Sequence, residues 1–215
     1  MIEGHFIVIE GIDGAGTTTQ CGLLARALRK RGLPVHPTRE PSDGPIGTMI
    51  RQILQGRIVV PGAAGPRAPG WATMALLFAA DRVDHLDAEI FPNLIDGVTV
   101  ISDRYDYSSV GYQSFDVAAP DAMDWIRKIN GRARRPDLTV VIDVRAELAA
   151  KRVRERSGRP ELYEHAELQG QLVGFYRDLE KHFPGERIVH VEGDAEPDAV
   201  CREILSHVDA LRAMG

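Results

Sequence analysis

Four short apolar runs constrain this chain more than anything else in it: residues 6–9, 98–102, 138–142 and 188–191. Each is rich in β-branched residues and lacks the apolar–polar alternation of a strand with one wet face. Each therefore reads as a strand buried on both sides. Between them lie segments with apolar residues at helical spacing, such as Ile46, Ile50 and Ile53, or Leu168, Leu172, Phe175 and Leu179. A fifth, shorter strand at 33–38 contains Pro34 and Pro37, which cannot donate to a ladder, so it belongs at a sheet edge. Buried strands alternating with helices imply right-handed crossovers and a parallel sheet covered on both faces. The expectation is an α/β fold: a five-stranded parallel sheet with helices on both faces, about eight in number, in one domain over residues 1–215. In such sheets ligands bind beyond the carboxyl ends of the strands.

The first of those ends is glycine-rich. Gly11-Ile-Asp-Gly-Ala-Gly16 permits a turn that side-chain-bearing backbone resists, and a helical pattern opens at Thr17 and runs to Gly32. Strand, glycine turn and helix start form an anion cradle, because successive N–H groups point inward and the helix dipole adds positive potential. Glycines at 11 and 16 with a hydroxyl at Thr18 match the phosphate-binding P-loop spacing, with Gly14, Ala15 and Thr19 in the same cradle. Thr18 offers the oxygen that would hold Mg²⁺. Position 17 departs from the pattern: the Lys that reaches the β- and γ-phosphates is replaced by Thr17.

Composition narrows the function class. A net charge of −5 lacks the basic footprint of a nucleic-acid binder. Hydrophobic content of 44% and charged content of 27% suit a soluble globular protein. Cys21 and Cys201 have no metal-ligand spacing and read as buried small hydrophobes in a reducing compartment. Neither a signal peptide nor a run of spanning length is visible, so no membrane partner and a cytoplasmic location are expected. The proline- and glycine-rich stretch at 57–70 reads as an irregular connection.

Four stretches carry a resemblance: Glu10-Gly-Ile-Asp-Gly-Ala-Gly16, Thr38-Arg-Glu-Pro41, Leu76-Leu-Phe-Ala-Ala-Asp-Arg82, and residues 103–113 from Asp103-Arg104-Tyr105 to Tyr112-Gln113. Through them the chain resembles a thymidylate kinase of the P-loop nucleoside monophosphate kinase group. The resemblance implies a P-loop NTPase-like three-layer sandwich. It also implies transfer of the ATP γ-phosphoryl to dTMP, giving dTDP, with Mg²⁺, by a homodimer.

It implies residue roles too. Phe78 would stack on the acceptor base and Arg82, one turn along the same face, would donate to the pyrimidine ring. Arg39 and Arg104 would clamp the acceptor phosphate through planar forks matched to its oxygens. Asp103 would meet Mg²⁺ through water, with Thr18 as inner ligand. Asp13 would approach the sugar 3′-hydroxyl or metal-bound water. Tyr112 and Gln113 would line sugar and base, Tyr112 crowding a 2′-hydroxyl. Ser109 would touch the base edge, unless Ser108 and Ser109 only satisfy helix backbone. The basic run 152–159 sits where the family has its lid, at about 152–165. Arg152, Arg156 and Arg159 share a helix side there and face the ATP phosphates, with Glu164 as a lid carboxylate.

Thr17 leaves three readings open. In the first, lid arginines supply the charge of the missing Lys, as an arginine finger does, and the chain is an active kinase with Asp13, Arg104, Arg156 and Arg159 as its catalytic set. In the second it keeps the nucleotide pocket without turnover. In the third it is a kinase for another deoxynucleotide or a deoxynucleoside.

Overall fold

A computed structural model of the chain describes residues 4–115, 119, 121–156 and 166–214. Among these, five strands form one parallel sheet: β1 (Phe6–Glu10), β2 (Val35–Arg39), β3 (Thr99–Asp103), β4 (Leu138–Asp143) and β5 (Ile188–Glu192), in the spatial order β2-β3-β1-β4-β5. The expected apolar runs are these strands, with β3 one residue further along. Every residue of β1 and β3 is buried. β2 is the edge strand that its prolines required; Pro37 pairs across to Ile101 while its other side faces no ladder.

The described helices number more than the eight expected. They are α1 (Thr17–Lys30), α2 (Pro45–Leu54), α3 (Trp71–His85), α4 (Phe91–Ile95), α5 (Asp106–Phe115), α6 (Ala122–Ile129), α7 (Ala146–Arg156), α8 (Ala166–Arg177), α9 (Leu179–His182) and α10 (Pro197–Arg212). The single long helix read over 71–94 is divided: a π-helical turn, Leu86–Ile90, separates α3 from α4. Pro92 stands in the first turn of α4, where its missing N–H breaks no helical bond, and the wider turn ahead of it absorbs the mismatch. The 57–70 connection holds one antiparallel bridge, Val60 to Arg67, and is otherwise irregular.

Crossover handedness decides the layers. β1 leads left, past β3, to β2, whereas β2, β3 and β4 each lead right to the next strand. Right-handed connections then put α1 on one face and α2 to α9 on the other. The contacts agree: α1 packs on β1, β2, β3 and α10, and α10 reaches β4 and β5. On the opposite face α4 packs on β3 and α8 on β4, with α5 against α3, α6 and α8. Cys21 and Cys201, in the α1–α10 layer, are both buried and unpaired. The chains leaving β1 and β3 depart to opposite faces, so the crevice between those two neighbours is the switch point of the sheet.

Candidate active site

The glycine turn fills that crevice from the β1 side. Gly14 and Gly16 have φ of 87° and 98°, conformations that side chains resist. A Cβ on Gly14 would sit 2.3 Å from the Ala149 carbonyl oxygen, so only a glycine lets α7 pack on the turn. Gly16 precedes α1 without a side-chain cap, which leaves the first amides of that helix for a ligand. Ahead of them opens a cavity. Asp13, Gly14, Gly16 and the three threonines Thr17, Thr18 and Thr19 line it with Asp103, Arg104 and Arg152, while Gly11 and the buried Ala15 form the body of the turn. The Arg152 guanidinium reaches the Gly193 carbonyl at 3.1 Å and lies 3.4 and 3.5 Å from those of Gly14 and Ala15. Arg159 and Glu164 lie outside the described residues, as does the side chain of Arg156.

Thr18 Oγ1 donates to Asp103 Oδ2 at 2.5 Å, and Asp103 Oδ1 is buried with no hydrogen-bond partner among the described residues. Two hard oxygens beside an anion cradle suit Mg²⁺, which takes one or two protein oxygens and completes its shell with phosphate and water. Among the described residues no cluster of three His, Cys, Asp or Glu could hold an ion unaided.

A second cavity opens on the β3 side. Phe78 and Arg82 come to it from α3; Tyr105, Ser108, Ser109, Tyr112 and Gln113 from the β3 end and α5; Glu40, Pro41 and Leu54 complete it. Arg82 is 1% exposed. Its Nε and Nη2 donate to Glu40 Oε2 at 2.9 and 2.5 Å, Nη1 donates to Asn130, and Nη2 also to Ser109 Oγ at 3.1 Å. Glu40 is shared with His85, whose burial disfavours charge less than Glu40, Glu89 and Asp81 favour it, so its pKa lies above the ordinary value. Gln113 is buried, and its Oε1 has no partner among the described residues. Ser109 thus serves Arg82 rather than helix backbone. Arg39 is placed elsewhere: exposed, it pairs with Asp43 at 2.6 Å and lines neither cavity.

The two cavities share a wall made of Asp13 and Arg104. Arg104 Nη2 meets Asp13 Oδ1 at 2.9 Å, Nη1 donates to the Gly11 carbonyl, and the guanidinium carbon lies 5.5 Å from the Tyr112 ring centre. From α8, Gln169 donates to Asp13 at 3.3 Å. Burial opposes the Arg104 charge, but Tyr112, Tyr176, Asp13 and Glu10 around it hold the proton more firmly than usual. Burial also raises the Tyr112 hydroxyl, with Asp13 facing it. Glu10, wholly buried at the end of β1, has its carboxyl pushed up to about 7 by desolvation, against the opposing pull of Arg104 and three hydrogen bonds.

Glu10, Glu40, Asn130, Gln169 and Tyr176 belong to this arrangement without standing out in the sequence. Glu10 had a signal, a carboxylate closing a wholly apolar strand, and Glu40 lay inside the Thr38–Pro41 stretch. Asn130 looked like a helix stop. Gln169 and Tyr176 belonged to a helix legible only as amphipathic, and their roles depend on which strand end that helix faces.

Known proteins are similar to this chain in sequence. A family model described as thymidylate kinase matches residues 9–204. The protein described as "Probable thymidylate kinase" of Pyrococcus horikoshii is 38% identical over 195 residues, 91% of this chain and 92% of that one. Those so described in Thermococcus onnurineus and Thermococcus kodakarensis are 42% and 38% identical, spanning 89% and 96% of this chain and 91% and 98% of their own. A P-loop-like turn on a parallel sheet, two cavities with a common wall and this match along nearly the whole length lead to one assignment: the chain belongs to the thymidylate kinase family.

Proposed function

We propose that this chain transfers the γ-phosphoryl group of ATP to dTMP, within one kinase domain whose lid spans about 152–165. The observation that carries the reading is the common wall: Asp13 and Arg104 stand between a phosphate cradle and a pocket suited to a base and sugar. Phosphoryl transfer needs in-line positioning and cancellation of negative charge more than covalent chemistry. On this reading the amides of 14–19 hold the donor phosphates, and Arg104 meets the acceptor phosphate from the wall. Asp13 accepts from a substrate hydroxyl, Phe78 stacks on the base, and Gln113 and Arg82 face its edge. Tyr112 closes the sugar side. Arg39 would have to exchange Asp43 for the acceptor phosphate, a surface ion pair of small cost. Thr18 and Asp103 would hold Mg²⁺, which would supply positive charge against the donor phosphates.

Thr17 is the point of tension. A charge-assisted contact contributes about 1.5–3 kcal/mol, and a lost preorganised donor slows a reaction by roughly 10²–10³-fold. Arg152 already borders the cradle, and Arg156 and Arg159 follow it on the lid, so arginines replace the Lys charge. Measuring kcat with dTMP for wild type, Thr17→Lys, Arg156→Ala and Arg159→Ala tests this. We expect at least a tenfold loss for one of the arginine variants. Harmless arginine losses beside a hundredfold gain in Thr17→Lys would overturn it. Thr17 also favours a second reading, a nucleotide-binding protein without turnover. ADP release that depends on dTMP separates the two, and comparison of kcat/KM for dTMP, dUMP and thymidine tests the acceptor.

The homodimer of the family is supported by α3, which exposes Leu76, Ala80 and Val83 on one face with Met49 of α2 also exposed. No described helix is long and apolar enough to cross a membrane.

A further inference from the structure

Arg104 has a backbone that a non-glycine residue adopts only when held there. Its φ is 77°, in the left-handed region that side-chain-bearing residues rarely occupy. The bend is what turns its side chain back from β3 across the end of β1. Three bonds pin it: Arg104 N donates to the Ile9 carbonyl at 3.0 Å, Ser102 Oγ to the Arg104 carbonyl at 2.8 Å, and Tyr105 N to Glu10 Oε1 at 2.8 Å. The other carboxylate oxygen of Glu10 receives two hydroxyl protons, from Ser108 at 2.7 Å and from Tyr176 at 2.9 Å.

Those same two hydroxyl oxygens stand against Arg104 Nη1, at 3.5 and 3.2 Å. A hydroxyl has one proton to give and lone pairs to offer. By taking both protons, Glu10 turns the lone pairs of Ser108 and Tyr176 toward the guanidinium. The Nη1 edge is thereby consumed by Gly11, Ser108 and Tyr176, and Nη2 gives one proton to Asp13. The second Nη2 proton and Nε, without partners among the described residues, are what remain for an anion.

We propose that Glu10 is a positioning residue for Arg104: it holds the backbone bend and orients two hydroxyls so that one edge of the guanidinium is anchored and the other is presented to the acceptor phosphate. This deepens the kinase reading above and rests on it. Glu10→Gln tests the idea with little change of shape. An amide cannot accept from Tyr105 N and from two hydroxyls at once, so either the bend or the lone-pair orientation is lost. Tyr176→Phe removes one of the two oriented hydroxyls.

Steady-state kinetics with dTMP and ATP on wild type, Glu10→Gln, Tyr176→Phe, Arg104→Ala and the Glu10→Gln/Arg104→Ala double variant gives the answer. We expect Glu10→Gln to raise KM for dTMP at least tenfold, Tyr176→Phe about threefold, and KM for ATP to stay within twofold in both. In the Arg104→Ala background Glu10→Gln should change nothing further, since its effect runs through that arginine. An unchanged KM for dTMP, or equal losses with and without Arg104, overturns the inference while leaving the kinase reading standing. Wild type that turns over no dTMP removes both.

Discussion

Among the described residues Glu10 is buried without a cation in hydrogen-bond contact; Arg104 Nη1 is the nearest, at 3.7 Å. A carboxyl whose pKa rises from 4.5 to about 7 on folding keeps its proton in the native state while the unfolded chain has released it. The native state therefore binds more protons across that window, and stability falls as pH rises from about 4.5 to about 7, then levels off. At 1.36 kcal/mol per pKa unit the full loss is at most about 3 kcal/mol. Glu10→Gln has no such group. Chemical denaturation at pH 5 and pH 8 should show the variant gaining on wild type by up to this amount at the higher pH; a difference independent of pH would contradict it. A side chain that costs stability at the working pH, bracing the arginine of the wall between two cavities from behind, is where function rather than folding accounts for the residue. The Arg82–Glu40 pair in the lining of the second cavity is the contrasting case, a buried charge matched by a partner at 2.5 Å.

The strand–turn–helix element from β1 to α1 was legible in the sequence because its signals are local: an apolar run, glycines at fixed offsets and a helical period. What was not legible was its neighbour. α7 lies so close that Gly14 has no room for a methyl group, the Ala149 carbonyl standing 2.3 Å from its place. Gly14→Ala must shift α7 or open the turn, and its φ of 87° adds backbone strain. We expect a loss of more than 1 kcal/mol and at least a tenfold weaker affinity for ATP, measured by thermal unfolding and by titration. Normal affinity in a stable variant would show that the turn tolerates the opening. Division of the 71–94 helix by a π-turn was equally hidden, since periodicity does not resolve one extra residue in a turn.

At the scale of the molecule, α3 leaves an apolar stripe exposed. Leu76 is 51% and Val83 42% exposed. If a second copy covers them, Leu76→Glu with Val83→Glu should halve the mass measured by sedimentation without lowering the melting temperature of the monomer. A wild type that sediments as a monomer would contradict this. Binding should also be visible in stability: ligand at 100 times its Kd stabilises by about 2.7 kcal/mol, so dTMP and ATP–Mg²⁺ should each raise the melting temperature.

The sequence alone determined the class of fold, the edge place of the proline strand and the cradle, because burial on two faces, a missing N–H and glycine freedom are all properties of short stretches. It also named most residues around the two cavities, through motifs that lie at strand ends. Only the tertiary structure decided that Arg82 is clamped by Glu40 and Asn130, that Arg39 faces Asp43, and that Glu10, Ser108 and Tyr176 brace Arg104. These pairings join residues as far as 166 positions apart. No local pattern encodes which of several polar side chains meet; the crossover handedness and strand order that bring the ends of β1 and β3 together do.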